Sequence, residues 1–311
     1  MVSRTRTHPS HYRIGRNRTV SLDSVKRQPL RLAIVEATRI LEEAGVASPR
    51  VDAELLAAHV LGVERDRLPL TPLVDPPVVD AMREVVTRRA KRIPLQHITG
   101  TAAMGPISVD VGPGVFVPRP ETELMLQWGL DLIQRREDPV VVDLCTGSGA
   151  LALAVAHARP DARVYAIDND PSALAWARRN ADARVAAGDT PITLYSGDVT
   201  DNRLLADLDG MVDLVLCNPP YVPEGTTVPP EVADHDPYQA VFAAGDGLAI
   251  IRSVVALAAR LLVIDGGVAI EHDDTHGEAV PALLSARKVL SRVVGHTDLA
   301  GRARFATARR G

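Results

Sequence analysis

Asn218-Pro219-Pro220-Tyr221 follows the apolar run Met211-Val-Asp-Leu-Val-Leu-Cys217, which reads as a buried strand. A strand ending this way presents a neutral amide, two carbonyls whose residues carry no N–H donor, and a flat ring. Those groups can hold a planar –NH2. An amide or aniline-like nitrogen is a poor nucleophile because its lone pair is delocalised. It must rehybridise towards tetrahedral to attack, and acceptors aimed at its N–H groups favour that change and absorb developing positive charge. The Asn218 side-chain oxygen and the Pro219 carbonyl are the candidate catalytic acceptors, with Tyr221 as a wall against the planar group. Asn218, Pro219, Pro220 and Tyr221 together form the candidate substrate grip. The prolines stiffen the loop, so substrate has little ordering to impose. Such chemistry needs neither a metal nor a covalent nucleophile. A rigid surface turn is the structural alternative for an Asn-Pro pair.

A second constellation lies upstream. In Asp143-Leu-Cys-Thr-Gly-Ser-Gly149 the glycines permit a tight turn and close approach of backbone to a ligand. Cys145, Thr146, Gly147, Ser148 and Gly149 are therefore candidate cofactor-binding residues, although a Gly-rich turn also serves dinucleotides. Asp168 stands 19 residues beyond Gly149, where a carboxylate can accept from both hydroxyls of a ribose. Asp198 and Val199, in Ser196-Gly-Asp-Val199, follow the next apolar stretch. A turn-capping Asp is the plainer use of Asp198.

The elements that must position these groups alternate strand and helix. Val140–Leu144, Arg163–Asp168, Ile192–Tyr195, Val212–Cys217 and Gly267–Glu271 read as strands. Ala150–Arg159, Pro171–Ala181 (opened by Asp170 as N-cap), Gly247–Leu262 and Gly277–Arg287 read as helices. The alternation implies a doubly wound parallel α/β sheet covered on both faces. Val289–His296 and Arg302–Ala308 have no helix between them, so they pair as a hairpin and one strand runs antiparallel. The four candidate sites then fall at the C-terminal ends of consecutive strands, where open α/β sheets bind ligands.

Residues 29–93 read as a small helical domain. Its apolar stripes are Leu32, Val35, Ile40 and Leu41 in the first helix and Val51, Leu55, Leu56, His59 and Val60 in the second. The second is capped by Ser48 and opened by Pro49. Met82, Val85 and Val86 face inward in the third, which runs from about Val78 to Arg92, with Arg88, Arg89, Lys91 and Arg92 suiting the dipole at its end. A β-hairpin linker follows over 94–120 and the catalytic domain over 121–311, with Thr122 or the turn before it starting the domain's first helix.

The 311 residues are 46% apolar, 24% charged and only 3% aromatic, ordinary for a soluble protein with an Ala/Val/Leu core. No stretch is long and apolar enough to span a membrane, and the basic N-terminus lacks the apolar core of a secretory signal. Two cysteines suit a reducing cytoplasm; Cys145 and Cys217, expected on neighbouring strands, are read as inert thiols, with an oxidation-sensitive pair as the alternative. Residues 1–31 hold eight cations and one acid, a net +7 that leaves −11 on the remainder of a chain whose total is −4. Residues 1–28 are read as a disordered basic tail, a solvated extension or upstream start rather than an arm for RNA or an acidic partner. The acidic remainder argues against sequence-specific nucleic-acid binding.

The Asn-Pro-Pro-Tyr tetrad resembles the signature of S-adenosylmethionine-dependent methyltransferases that act on amide or exocyclic amino nitrogens. That resemblance implies the class I methyltransferase fold, an S-adenosyl-L-methionine site built from the residues above, and an adenine-reading position for Asp198. Val117-Pro-Arg-Pro-Glu-Thr-Glu123, Asp143–Gly149, Asn218–Tyr221 and Gly245-Asp-Gly-Leu248, in that order, with Pro94-Leu-Gln96 and three N-terminal helices, are similar to the HemK/PrmC family. Membership would imply methylation of the N5 amide nitrogen of the glutamine in the Gly-Gly-Gln motif of peptide chain release factors, gripped by the helical domain and linker. The alternatives are a ribosomal-protein glutamine methyltransferase, a DNA or RNA amino-methyltransferase, and a binding module without turnover. Two departures from the family stand out: Cys145 occupies a usual glycine position, and Asp273-Asp274 follows Glu271-His272 where small or aromatic residues are usual.

Overall fold

The computed structural model describes residues 27–311; the basic segment up to residue 26 lies outside them. Three helices come first: α1 (Leu30–Glu43), α2 (Pro49–Leu61) and α3 (Pro76–Ala90). Short α4 (Leu95–Thr99) leads into a hairpin of β1 (Thr101–Met104) and β2 (Ile107–Asp110). The alternating part contains α5 (Thr122–Ile133), β3 (Val140–Leu144), α6 (Ala150–Ala158), β4 (Arg163–Asp168), α7 (Pro171–Ala186), β5 (Thr193–Ser196) and β6 (Val212–Cys217). After α8 (Pro230–His235) and α9 (Tyr238–Val241) come α10 (Ala249–Leu261), β7 (Leu262–Glu271), α11 (Ala279–Ser285), β8 (Leu290–Thr297) and β9 (Ala303–Arg310).

The seven-stranded sheet has the order β8-β9-β7-β6-β3-β4-β5. β3, β4, β5, β6 and β7 run parallel to one another, and β9 runs antiparallel to both β7 and β8. This is the class I methyltransferase sheet. β7 starts earlier than its apolar pattern suggests, because a register shift between Leu262 and Gly267 absorbs the extra residues.

Every residue of β3 is buried, as a central parallel strand covered on both faces must be. Val141 joins α6 and the hairpin in one core, while Val140, Val142 and Leu144 pack with α10 in the other. The hairpin contributes Ala102, Met104, Ile107 and Val109 to the first core, so it is fastened to the sheet rather than hanging as a spacer. Buried Asn180 on α7 holds it there. Its Oδ1 accepts from Asp110 N at 2.8 Å, and its Nδ2 donates to Asp110 O and Ser148 O at 3.0 and 2.9 Å.

The N-terminal helices correct the expected stripes. Leu32 and Val35 are 53% and 54% exposed, and α1 instead buries Leu30, Ala33, Ile34, Ala37 and Leu41. On α2 Val51 and His59 face solvent, while Asp52, Ala53, Leu56, Ala57 and Ala58 are inside. The reading from side-chain size missed that alanines let the helices approach closely, while the flanking larger groups are left outside. Ser48 makes no side-chain cap; its carbonyl takes the Asp52 amide at 3.0 Å. α3 starts at Pro76, and Arg89 turns inward instead of serving the helix dipole.

That arginine explains the buried Asp52. Arg89 Nε donates to Asp52 Oδ2 at 2.7 Å, and its Nη2 lies 2.9 Å from Glu231 Oε1. Arg92 donates to both Glu231 oxygens at 2.8 and 2.6 Å. Burial opposes ionisation of Glu231, but the hydrogen bonds from Arg92 and Arg89 outweigh it and bring its carboxyl down to about 2. Glu231 lies on α8, thirteen residues past Asn218, so this cluster ties the helical region to the segment that follows the tetrad. Glu231→Ala would leave a buried guanidinium (Arg89) and a partly buried one (Arg92) each short of a partner and is expected to lower unfolding stability by about 2 kcal/mol. Urea titration checks this; a change under about 0.5 kcal/mol would mean the cluster contributes no more than a surface pair.

Candidate active site

The turn after β3 is shaped by backbone geometry. Cys145, Gly147 and Gly149 all have positive φ, at 57°, 57° and 82°. Cys145 thus occupies the conformation that makes glycine usual there, at a cost of about 1–2 kcal/mol for an L-residue. Nothing lies within 4 Å of where a Cβ on Gly147 would stand, whereas one on Gly149 would press on Leu153 and Ala177 at 3.3 and 3.4 Å. Gly149 therefore serves helix packing, and Gly147 leaves space above the turn. The turn closes through Thr146 N to Ile167 O and Gly149 N to Thr146 O, both 2.9 Å.

Asp143 braces this turn from below. Its Oδ2 accepts from Thr146 Oγ1 at 2.5 Å and from Ala152 N at 3.2 Å, while its Oδ1 has no partner among the described residues. Desolvation dominates over those two bonds and pushes the carboxyl up to about 7. Asp168, at the end of β4, accepts from Gly147 N at 2.8 Å through Oδ2 and from Asp170 N at 2.9 Å through Oδ1. Burial raises its carboxyl too. Each oxygen keeps a second lone pair for a ligand hydroxyl.

A cavity of about 400 Å³ opens over these groups. Of the expected cofactor residues, Cys145, Thr146, Gly147, Ser148, Asp168, Asp198, Val199 and Asn218 line it; Gly149 lies behind the turn. Ser148 Oγ is buried with no partner among the described residues. Asp198 behaves as a turn cap: its Oδ1 accepts from Thr200 N and Oγ1 at 2.8 and 2.7 Å, and those bonds hold its carboxyl low. The far wall comes from Phe116 and from the segment after the tetrad. There Tyr238 stacks on Phe242 with ring centroids 4.7 Å apart, and Gln239 Nε2 reaches Asp170 Oδ2 at 3.2 Å.

Within the tetrad, Asn218 and Pro220 line the cavity. Pro219 is buried, and Tyr221 packs against the α10 side of the core with its hydroxyl donating to Glu271 Oε1 at 3.2 Å. Gly247 permits this: a Cβ there would overlap the Tyr221 carbonyl oxygen, which gives Gly245-Asp-Gly-Leu248 a structural reason. The Val117–Glu123 motif has one too. Arg119 pairs with buried Asp236 and lies 4.8 Å over the Phe116 ring; Thr122 Oγ1 donates to Glu271 Oε2 at 2.7 Å; Glu123 Oε1 accepts from Gly105 N at 3.2 Å. Thr122 is the first residue of α5, and Glu121 occupies the cap position without a side-chain bond.

Asp273 caps a short turn through Thr275 N and Oγ1 at 3.0 and 2.6 Å, so that departure from the family pattern is spent on local structure. β3 and β6 are neighbours, with Leu144 opposite Cys217. Burial, then the contact with Cys145, pushes the Cys217 thiol up, which favours the unreactive protonated form. Sequence reading missed Asn180 and the Thr122–Glu271 contact, because each depends on partners distant in the chain. It missed the bracing role of Asp143 although its partners Thr146 and Ala152 are near in sequence, because the turn that brings them over its carboxyl is set by the positive φ of Cys145, Gly147 and Gly149.

Asp143 carries a pH signature. Its folded pKa lies above the unfolded value of 3.8, so its protonated form contributes stability that is complete below about pH 4 and disappears as pH rises through about 7. Compared with Asp143→Asn, which cannot ionise, the parent chain is expected to lose relative stability between those limits. Denaturant titrations of both chains across pH 4–8 check this, and parallel curves would refute it.

The chain matches the PrmC N-terminal domain over residues 33–100 and the methyltransferase small domain over residues 118–235. It is 53% identical to the release factor glutamine methyltransferase of Mycolicibacterium smegmatis over 281 residues, covering 90% of this chain and 98% of that protein. The Mycobacterium tuberculosis H37Rv protein of the same name is 49% identical, covering 90% of this chain and 91% of that one. That of Streptomyces coelicolor is 46% identical, covering 89% and 96%. With identity at this level running along nearly the full length of those proteins, the chain belongs to the release factor glutamine methyltransferase family.

Proposed function

We infer that this protein transfers a methyl group from S-adenosyl-L-methionine to the N5 amide nitrogen of the glutamine in the Gly-Gly-Gln motif of peptide chain release factors. The observation that carries the reading is Asn218. Its amide sits on the cavity wall at the end of β6, and Nδ2 is engaged by Thr122 Oγ1 at 3.5 Å, which leaves Oδ1 for a substrate N–H. The carboxamide of glutamine is a planar –NH2 of the kind that this acceptor and the Pro219 carbonyl suit.

The residues around the cavity fit the cofactor. Bound S-adenosylmethionine supplies an electrophilic sulfonium methyl. Gly147 leaves room for a ligand against the turn, Ser148 Oγ is an unengaged polar atom, and the free lone pairs of Asp168 match two ribose hydroxyls. Val199 offers an apolar edge for adenine. Asp198 also lines that end, but its Oδ1 is already taken by Thr200, so Oδ2 is the acceptor available for an adenine amino group. Asn218 Oδ1 and the Pro219 carbonyl orient the substrate nitrogen and accept its N–H groups as positive charge develops. Pro220 rigidifies the loop, and Tyr221 holds its backbone by anchoring to Glu271. Positioning two reactants in one cavity supplies much of the remaining acceleration.

The substrate assigns the place of action. Release factors work on ribosomes, so the protein is cytoplasmic, and among the described residues no helix is long and apolar enough to cross a membrane. The helical region and hairpin form the docking surface for the release factor, and recognition is of protein rather than of a nucleic-acid sequence.

Incubation with methyl-labelled S-adenosylmethionine and a release factor, followed by peptide mass mapping, is expected to place the label on the Gly-Gly-Gln glutamine. Label on a ribosomal protein or on rRNA instead would overturn the assignment. Asn218→Ala is expected to lower kcat by about 10²–10³-fold while cofactor binding by calorimetry stays close to normal. Asp168→Ala should weaken cofactor binding by about tenfold or more, the worth of one charge-assisted hydrogen bond; an unchanged Kd would remove Asp168 from the ribose role.

A further inference from the structure

The buried side of the tetrad is connected to two residues outside it. Glu271 ends β7 and is 2% exposed. Its Oε2 accepts the Thr122 hydroxyl proton at 2.7 Å, its Oε1 accepts the Tyr221 hydroxyl at 3.2 Å, and Asn218 Nδ2 donates to Thr122 Oγ1 at 3.5 Å. One chain of hydrogen bonds therefore runs from a buried carboxylate to the amide that faces the cavity.

The direction of each bond in this chain is set by chemistry. An ionised carboxylate only accepts, and a hydroxyl has one proton. Once Thr122 gives that proton to Glu271, its oxygen can only accept from a third neighbour. An amide meeting such an oxygen must offer its –NH2 end, so the other end, Asn218 Oδ1, is turned to the cavity. The two ends of an amide are nearly the same shape, so packing alone hardly distinguishes them. A rotation of half a turn would present two N–H donors to the substrate –NH2 in place of an acceptor. Burial works against the Glu271 charge, while the bonds from Thr122 and Tyr221 and the nearby Arg304 support it.

We propose that Glu271 and Thr122 are positioning residues that set the orientation of the Asn218 amide, so that its oxygen and not its –NH2 meets the nitrogen to be methylated. This rests on the methyl-transfer reading of the site. Thr122 reaches the cavity wall beside Asn218, but its hydroxyl is engaged by Glu271 and Asn218; both residues act through Asn218, and Glu271 also holds Tyr221.

The test uses the full chain, methyl-labelled S-adenosylmethionine and a release factor, with the wild-type chain measured first. No transfer by wild type would overturn the functional reading and the proposal with it. With an active wild type, Thr122→Val is expected to lower kcat by about 10–100-fold, as loss of a transition-state hydrogen bond does, while the cofactor Kd and release-factor KM stay within about threefold. Thr122→Ser keeps the hydroxyl and should recover most of that kcat. Glu271→Gln keeps the shape and removes a buried charge, so its thermal midpoint should not fall. Yet its new amide can donate to Thr122 and free the hydroxyl proton, so kcat should drop as it does in Thr122→Val. Because both act on one bond, the double variant should be no slower than the slower single variant. Wild-type kcat in either Thr122→Val or Glu271→Gln, a loss confined to KM, or multiplicative losses in the double variant would each overturn the proposal. If Thr122→Val fails to fold, Glu271→Gln decides it alone.

Discussion

The sheet changes direction of growth at β3: the chain adds β4 and β5 on one side, then crosses back to lay β6 on the other. The segments leaving β3 and β6 must therefore part towards opposite faces, α6 to one core and α10 to the other. The gap between them is the cavity. Everything chemical in the molecule depends on this divergence, because it brings residues 145–149 and 218–221 to one opening although the chain between them contains two helices and three strands. The burial of β3 on both faces makes the arrangement stiff.

Walls are then added to that opening by polar contacts of long sequence separation. Asn180 fastens the hairpin to the Gly-rich turn. Asp236, paired with Arg119, and Glu231, paired with Arg89 and Arg92, fasten the segment after the tetrad to the linker and to the helical region. The second of these links gives a physical route by which the helical region can influence the catalytic loop. A partner that docks on α1–α3 contacts a body that is ion-paired, through Arg89 and Arg92, to Glu231 in the segment that continues from Tyr221. The buried pairs are expensive to desolvate, and their value lies in fixing where that segment goes.

Legibility in the sequence followed the range of the interaction. The β/α alternation, the antiparallel end, the Gly-rich turn and the Asp170 cap were all readable because each is encoded within a few neighbouring residues. The N-terminal stripes were misread because large apolar side chains were preferred over Ala33, Ala37, Ala53 and Ala57, whose small size is what allows close helix packing. Asp52 and Arg89 look like surface charges until they are seen facing one another across 37 residues. Asp198 shows the opposite case. Its turn-capping bonds to Thr200 are local and were foreseeable, and they occupy an oxygen that the cofactor reading would have used freely.

By itself the sequence determined the chemistry on offer: an amide followed by two prolines at a strand end, a turn that tolerates ligand backbone approach, and a carboxylate at the next strand end. These are properties of residue type and short spacing, and they survive any packing compatible with the fold. Only the tertiary structure decided which way those groups face. Tyr221 packs into the α10 core while Asn218 and Pro220 line the cavity, and the Asn218 amide finds its partner in a threonine 96 residues away. Orientation is a product of contacts between distant segments, and such contacts leave no periodicity or spacing to be read.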